Sequence, residues 1–282
     1  MAARTKPPAL TLPTAVAAID ARHALMVFPA DNAPDPPSLW SHFYPREPLR
    51  WVWEEDSGDN RVWQLWHLRP RLSTSRRVIY TKWYRDRPIV LSLELAAALL
   101  AALGTPTAGD RGLSAPARQI LESLDDNSPQ SPRELRLSVD LVGGDHERVY
   151  TRALRELWQR MLIVGFGEVA DGAFPSLALG STRILFEDLW SDASQLDPAA
   201  ATVQVRQLLA GSPRLLAHFE RTRRALSPEP AEEKAAPARE TRRAAPKRGA
   251  PKAAPVRGSR KAAPARGAPK AAPARGAPKA AP

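Results

Sequence analysis

Two groups of charged residues have spacings that could support chemistry on a nucleic acid. Asp20 and His23 lie three residues apart in a segment with helical periodicity, so a carboxylate and an imidazole could act together in acid–base catalysis. Such a pair more often caps a helix or makes a surface contact. Arg148, Arg152 and Arg155 recur every three to four residues, so they share one helix face that either binds phosphates or simply faces solvent.

A third group surrounds a predicted hairpin turn and combines aromatic with basic side chains. Lys82, Trp83, Arg85 and Arg87 lie there, and such a hairpin suits a nucleic-acid backbone or minor groove. Six of the eight tryptophans fall between Trp40 and Trp83, which would suit either a platform for unpaired bases or a core of large side chains. We favour the core for most of them and predict Trp83, with the tyrosine after it, at the surface.

Several classes of site are excluded by what the sequence lacks. The absence of cysteine excludes disulfides, Cys-ligated zinc, iron–sulfur clusters and thiol catalysis. The five histidines show no H-E-x-x-H spacing, and neither a phosphate loop nor a G-x-S-x-G motif occurs. We therefore expect no metal site and no cofactor. No apolar run reaches about 18 residues, so we expect no membrane span. The lack of cysteine fits a cytoplasmic location, and the basic carboxyl-terminal segment leads us to expect association with the nucleoid.

Positive charge is concentrated at the carboxyl end of the chain. The 282 residues carry a net charge of +11, but the segment from Ser227 onward holds 14 Lys or Arg and 4 Glu. The 27 basic and 26 acidic residues before it nearly cancel. A polyanion is therefore the expected partner of the terminal segment rather than of the whole chain.

This segment becomes a nine-residue repeat, [A/V]-R-G-A-P-K-A-A-P, which includes Arg266, Lys270, Arg275 and Lys279. It has too little apolar surface to offset its ordering entropy, so a disordered tail is expected. It resembles the Lys/Ala/Pro-rich tails of linker histones. Evenly spaced cations neutralise phosphates and release counterions, which favours DNA. RNA, anionic lipid, acidic protein or a solubility role remain alternatives.

Residues 128–180 show the order helix, turn, helix, hairpin. Ser131 and Glu134 form a capping box before a helix predicted to reach Leu141. A Gly-Gly turn leads to a second helix whose apolar stripe begins at Val149 and repeats at helical spacing to Met161. Strands follow at 162–169 and 173–179 around an Asp-Gly turn. This order is typical of a winged helix, a scaffold used both for DNA and for protein partners.

A similar order precedes it. Helices are predicted at 15–28, 38–44 and 60–68, the last one stopping near Pro70, followed by a hairpin over 77–91 and a buried helix to Leu103. We therefore predict an α+β fold, mostly helical, with two tandem winged-helix units, C-terminal helices and a disordered basic tail. The predicted divisions are 1–13 (flexible), 14–104, 113–226 and 227–282.

The helix and hairpin residues of both units resemble those of the AlkZ-related bacterial proteins. The likeness covers about residues 15–190 and rests on aromatic and helix–hairpin positions in the segments 38–40, 61–68, 77–88, 117–121, 133–135, 153–157 and 163–165.

That resemblance implies tandem winged helices. It also implies a comparison with AlkZ/YcaQ glycosylases, which remove alkylated bases and unhook crosslinks. Their activity depends on a Gln-x-Gln or Gln-x-Asp pair on an N-terminal helix. Asp20 matches the second position here, whereas Ala18 stands where glutamine is expected.

Three functions follow from these patterns. We expect a non-enzymatic DNA-binding protein, in which the arginine face, the hairpin turn and the tail contact phosphates. The alternative is a DNA glycosylase in which Asp20 positions water at a flipped alkylated nucleotide. A protein-binding scaffold with a solubilising tail is the third.

Overall fold

The computed structural model describes residues 8–52, 59–170 and 175–226. In the first half, helix, strand, two helices and a hairpin follow one another. These elements are α1 (Leu12–Arg22), β1 (Ala24–Met26), α2 (Leu39–Phe43), α3 (Arg61–Thr74), β2 (Val78–Thr81) and β3 (Ile89–Ser92).

Two helices connect this part to a second helix–hairpin series, and four helices complete the fold. They are α4 (Leu93–Ala102), α5 (Thr105–Ala108), α6 (Ala115–Asp126), α7 (Pro132–Ser138), α8 (Glu147–Gln159), β4 (Ile163–Val169), β5 (Ser176–Ser181), α9 (Thr182–Leu185), α10 (Glu187–Gln195), α11 (Pro198–Leu208) and α12 (Pro213–Leu226). The predicted α+β, mostly helical class is confirmed.

All five strands form one antiparallel sheet in the order β1-β3-β2-β4-β5. The two hairpins meet where Tyr80 of β2 pairs with Gly165 of β4. A Cβ atom at Gly165 would lie 2.6 Å from the Tyr80 ring, so this junction requires glycine. The two helix–hairpin series therefore share a sheet, which the sequence did not indicate.

The second series repeats the strand pairing of the first. β1 follows α1 and pairs with β3, the returning strand of the first hairpin. Gln130 follows α6 and bridges Leu179 in β5, the returning strand of the second hairpin. Each series thus has the order helix, short pairing segment, two helices and hairpin.

The core is built around α4, the apolar helix predicted to be buried. Leu95, Leu99 and Leu100 are fully buried in one cluster with residues of α10, α11 and α12. Ser92 caps α4, since its side chain accepts a hydrogen bond from the Leu95 amide at 3.2 Å. The C-terminal helices therefore hold the first hairpin in place.

The predicted ends of two helices in the first series are wrong. α1 ends at Arg22, because His23 adopts φ 61° and the chain continues as β1. α3 continues through Pro70 to Thr74. Its last turn is held by burial of Leu72 and by Ser73, whose hydroxyl accepts a 2.8 Å hydrogen bond from the Gly167 amide.

The predicted apolar stripe of α8 is also shifted. Val149 is exposed, and Tyr150 occupies the buried face instead. The Arg136 guanidinium lies over the Tyr150 ring, 4.1 Å from its centre, and so covers the ring on its outer side. α7 ends at Ser138 rather than at Leu141.

Candidate nucleic-acid interface

Helix α8 presents the three predicted arginines to solvent. The opposite face of the helix is buried through Ala153, Leu157 and Trp158. The amphipathic pattern therefore determines which face is exposed to solvent. Arg148, Arg152 and Arg155 are all exposed. The residues predicted to contact phosphates are therefore accessible on one helix face.

The turn of the first hairpin lies against this helix. Arg85 and Asp86 adopt φ 51° and 58°, and the Arg87 amide donates a 2.9 Å hydrogen bond to the carbonyl oxygen of Tyr84. Arg155 Nε donates a 2.8 Å hydrogen bond to Asp86 Oδ2. This contact places the basic residues of the hairpin turn and of α8 on one surface.

The prediction that Trp83 and Tyr84 lie at the surface is wrong. Their exposed fractions are 1% and 2%. His218 of α12 packs edge-on against both rings, and its Nε2 donates a 2.8 Å hydrogen bond to the carbonyl oxygen of Trp83. Trp83 therefore fixes the position of the turn, and its ring is not available to stack on a base.

A cleft of about 280 Å³ separates the hairpin turn from α12. Arg85, Arg155 and Arg221 line it, and the last residue of α12, Leu226, lies at the same cleft. Helix α12 therefore ends beside these arginines. Arg221 was not among the predicted site residues, although the Arg-rich sequence of α12 was a visible signal.

A second cleft, of about 360 Å³, lies next to the Asp86–Arg155 pair, both residues of which line it. Lys82 and Arg136 bring positive charge to it, and Tyr150 lines it as well. Lys82 is half-buried. Burial lowers the pKa of the Lys82 amine, and the nearby charge of Arg69 lowers it further while Asp86 opposes the shift.

A buried ion pair joins α3 to the second hairpin. Arg69 Nη2 contacts Glu168 Oε1, and the two side chains are only 8% and 16% exposed. The Arg69 guanidinium also lies 3.7 Å from the centre of the Trp66 ring. Burial lowers the pKa of Arg69 and raises that of the neighbouring Tyr80 to about 12.

Asp20 lies away from the hairpin turn. It is exposed on α1 and lines a shallow cleft with Arg76, Arg77 and Glu94, at the end of the β2–β3 hairpin opposite its turn. In the described part of the chain, His23 pairs with Glu94 at 3.7 Å rather than with Asp20. The predicted acid–base pair is therefore not formed.

A family model described as AlkZ related matches residues 10–212. The chain belongs to the AlkZ-related family. No curated protein and no solved structure matches it. Membership indicates a function related to DNA.

In this AlkZ-related protein, the two positions compared with the glycosylase motif differ in exposure. Ala18 is buried in the core around α1, whereas Asp20 faces solvent. A methyl group at position 18 cannot hydrogen-bond a nucleotide, so Asp20 would be the sole polar group of the pair.

Some predictions fall on residues outside the described ranges. These include the predicted tail and its cations Arg266, Lys270, Arg275 and Lys279, most of the flexible N-terminal segment, and the Asp-Gly turn of the second hairpin. Within the described ranges, no cluster of three metal-binding side chains occurs. No helix there has the length and apolarity needed to cross a membrane.

His218 should make stability depend on pH. Burial lowers its pKa, although the bond to the Trp83 carbonyl and the Asp86 charge oppose this, while Arg221 and Arg85 lower it further. The unfolded state then binds the proton more tightly, so stability should be complete above about pH 6.5 and fall as the pH drops towards the folded-state pKa.

Urea unfolding at a series of pH values tests this expectation. His218→Gln keeps a hydrogen-bond donor and should remove part of the acid slope. The same change at the exposed His146 controls for loss of an imidazole. Parallel acid slopes for wild-type protein and His218→Gln would contradict the assignment.

Proposed function

We propose that this AlkZ-related protein binds duplex DNA without acting on it. In this proposal each helix–hairpin series acts as a winged helix. The order of its elements supports this, and so does the pairing of its short segment with the returning hairpin strand. α8 enters the major groove, the first hairpin turn contacts the adjacent backbone, and the tail neutralises further phosphates. Such binding would associate the protein with the nucleoid.

The hydrogen bond from Arg155 to Asp86 is the observation that carries this proposal. It joins two basic groups that are about seventy residues apart in the sequence into one surface. Arg152 projects beside them with a side chain that is 83% exposed. Contacts from basic side chains to phosphates fix the register and orientation of a protein on the duplex, which a shared surface of arginines can provide.

The geometry also favours α8 over α3 as the groove-binding helix. α3 is the equivalent helix of the first series, but β4 of the second hairpin packs against it. The Arg69–Glu168 pair and the bond from Gly167 to Ser73 occupy that side of α3. The arginine face of α8, in contrast, is exposed.

The double variant Arg152→Ala/Arg155→Ala should weaken binding to plain duplex by about 10- to 100-fold, because two phosphate-binding cations are lost. The slope of log affinity against log salt should fall by roughly 0.9 for each lost contact. Fluorescence anisotropy over a salt series measures both quantities.

Arg206→Ala is the control, and it removes one positive charge where the double variant removes two. Arg206 is also exposed and also pairs with a carboxylate, Glu220, at 2.6 Å, but it lies on α11. Its replacement lowers the net charge without touching the proposed surface. Equal losses per removed charge in the two variants would mean that charge alone, and not the α8 surface, determines binding.

Glycosylase activity is a second candidate. Asp20 is exposed on the N-terminal helix α1, and it lines a cleft together with Arg76 and Arg77. Release of alkylated bases from duplex, abolished by Asp20→Asn, would support it. The binding proposal expects no release at high protein excess. It also expects Asp20→Asn to bind DNA normally, since Asp20 lies at the far end of the hairpin.

A further inference from the structure

One lysine stands among many arginines in the structured part of the protein. The described residues contain 24 arginines and a single lysine, Lys82. Arginine stays protonated in proteins, whereas a lysine amine can lose its proton when it is buried. The amine is therefore the chemical group that distinguishes this position from the other basic positions of the described residues.

Lys82 follows β2 directly and lines the 360 Å³ cleft between the first hairpin and α7–α8. Leu154, Trp158 and Leu177 form an apolar part of its lining. Arg136 and Arg155 line the same cleft and can hold phosphates. A sugar phosphate bound there would therefore contact the amine.

The charges around the amine favour its neutral form. Arg69 of α3 repels a proton on Lys82. The two arginines of the cleft are each paired with a carboxylate, Arg136 with Glu147 and Arg155 with Asp86. Among the described residues, the carboxylate that acts on Lys82 is Asp86, which is already bound to Arg155. Glu168 of β4 is bound to Arg69. The remaining titratable group in the cleft is Tyr150, whose pKa burial raises to about 12.

We propose that Lys82 captures the aldehyde of an abasic site in bound DNA. The inference rests on the proposed DNA binding, because an abasic sugar is the aldehyde that DNA itself presents. The Nζ lone pair attacks C1′ of the ring-opened deoxyribose. The carbonyl oxygen then leaves as water with the two amine hydrogens, and a C=N bond replaces the C=O bond. No oxidant or cofactor is needed.

Cyanoborohydride reduces this imine to a stable secondary amine, so the captured DNA can be measured as a protein–DNA adduct on a denaturing gel. The full-length protein is mixed with a duplex that contains one abasic site, and the adduct is mapped by peptide mass spectrometry. A Lys82-only variant removes the competing lysine amines and keeps their charge. In it, every other lysine is replaced by arginine: Lys6, Lys234, Lys247, Lys252, Lys261, Lys270 and Lys279.

The Lys82-only protein should form the adduct at Lys82, and adding Lys82→Arg should lower the yield at least about tenfold. The rate should rise with pH and level off below the usual lysine pKa. Mobility shifts on the same duplex give the fraction of DNA bound by each variant, and the adduct yield is compared per bound duplex.

Adducts that map only to the N-terminal amine or to tail lysines in the wild-type protein would overturn the proposal, and this readout does not depend on any variant folding. Adduct loss without a change in binding supports Lys82 as the nucleophile. If the wild-type protein gives no mobility shift on this duplex, the proposed DNA binding is refuted instead.

Discussion

Replacing Glu168 by leucine is expected to lower the free energy of unfolding by about 3–5 kcal/mol, because it leaves the Arg69 charge buried without its partner. Arg69 is 8% exposed, so water cannot replace the lost carboxylate. Its Nε already has no hydrogen-bond partner among the described residues. Urea unfolding monitored by tryptophan fluorescence measures the change.

The double variant Arg69→Met/Glu168→Leu is the informative control. It removes both charges, keeps apolar volume between α3 and β4, and should be far closer to wild type than Glu168→Leu alone. Breaking the exposed pair between Arg206 and Glu220 should cost only about 0–1 kcal/mol. If Glu168→Leu costs no more than that surface change, the ion pair does not hold the two hairpin series together.

Features that depend on neighbouring residues were predictable from the sequence. The capping box of Ser131 and Glu134 forms as expected, with bonds of 2.9 and 3.1 Å between side chains and amides. Ser92 begins α4, and the arginines of α8 lie on the exposed face. In each case the determining contact lies within about one helical turn of the residue concerned.

Features that depend on distant partners were not predictable. Trp83 is buried because His218, 135 residues later, packs on it. The sheet joins both hairpins through Tyr80 and Gly165, a pairing that no local pattern encodes. The segment 24–26 continues a helical pattern, yet it forms β1 because β3 offers it a ladder of hydrogen bonds. Tertiary pairing overrides local propensity at such positions.

The contact between the hairpin turn and α8 also depends on residues that are distant in the sequence. Both basic groups were visible in the sequence, but their meeting through Asp86 and Arg155 was not. The division of the body at 104–113 stays a prediction, since the described residues all fall within one compact unit.

Removing residues 227–282 is expected to weaken binding to every duplex sequence alike, on the order of a thousandfold at low salt. The segment carries 14 of the 41 Lys and Arg residues and a net charge of +10, whereas the rest of the chain has a net charge of +1. Each phosphate that it neutralises contributes roughly 0.9 to the salt slope, so the truncated protein should show a much flatter salt dependence. Anisotropy titrations over a salt series measure both effects.

Two full-length variants separate charge from sequence in this segment. A tail with the same composition in scrambled order should bind as the wild type does, because counterion release depends on charge density and not on the repeat. Changing Arg266, Lys270, Arg275 and Lys279 to glutamine removes four cations and should lower the salt slope by at most about 3.6. An unchanged slope in this variant would mean that the repeat does not contact DNA, and the binding would then depend on the arginines of α8 and the first hairpin alone.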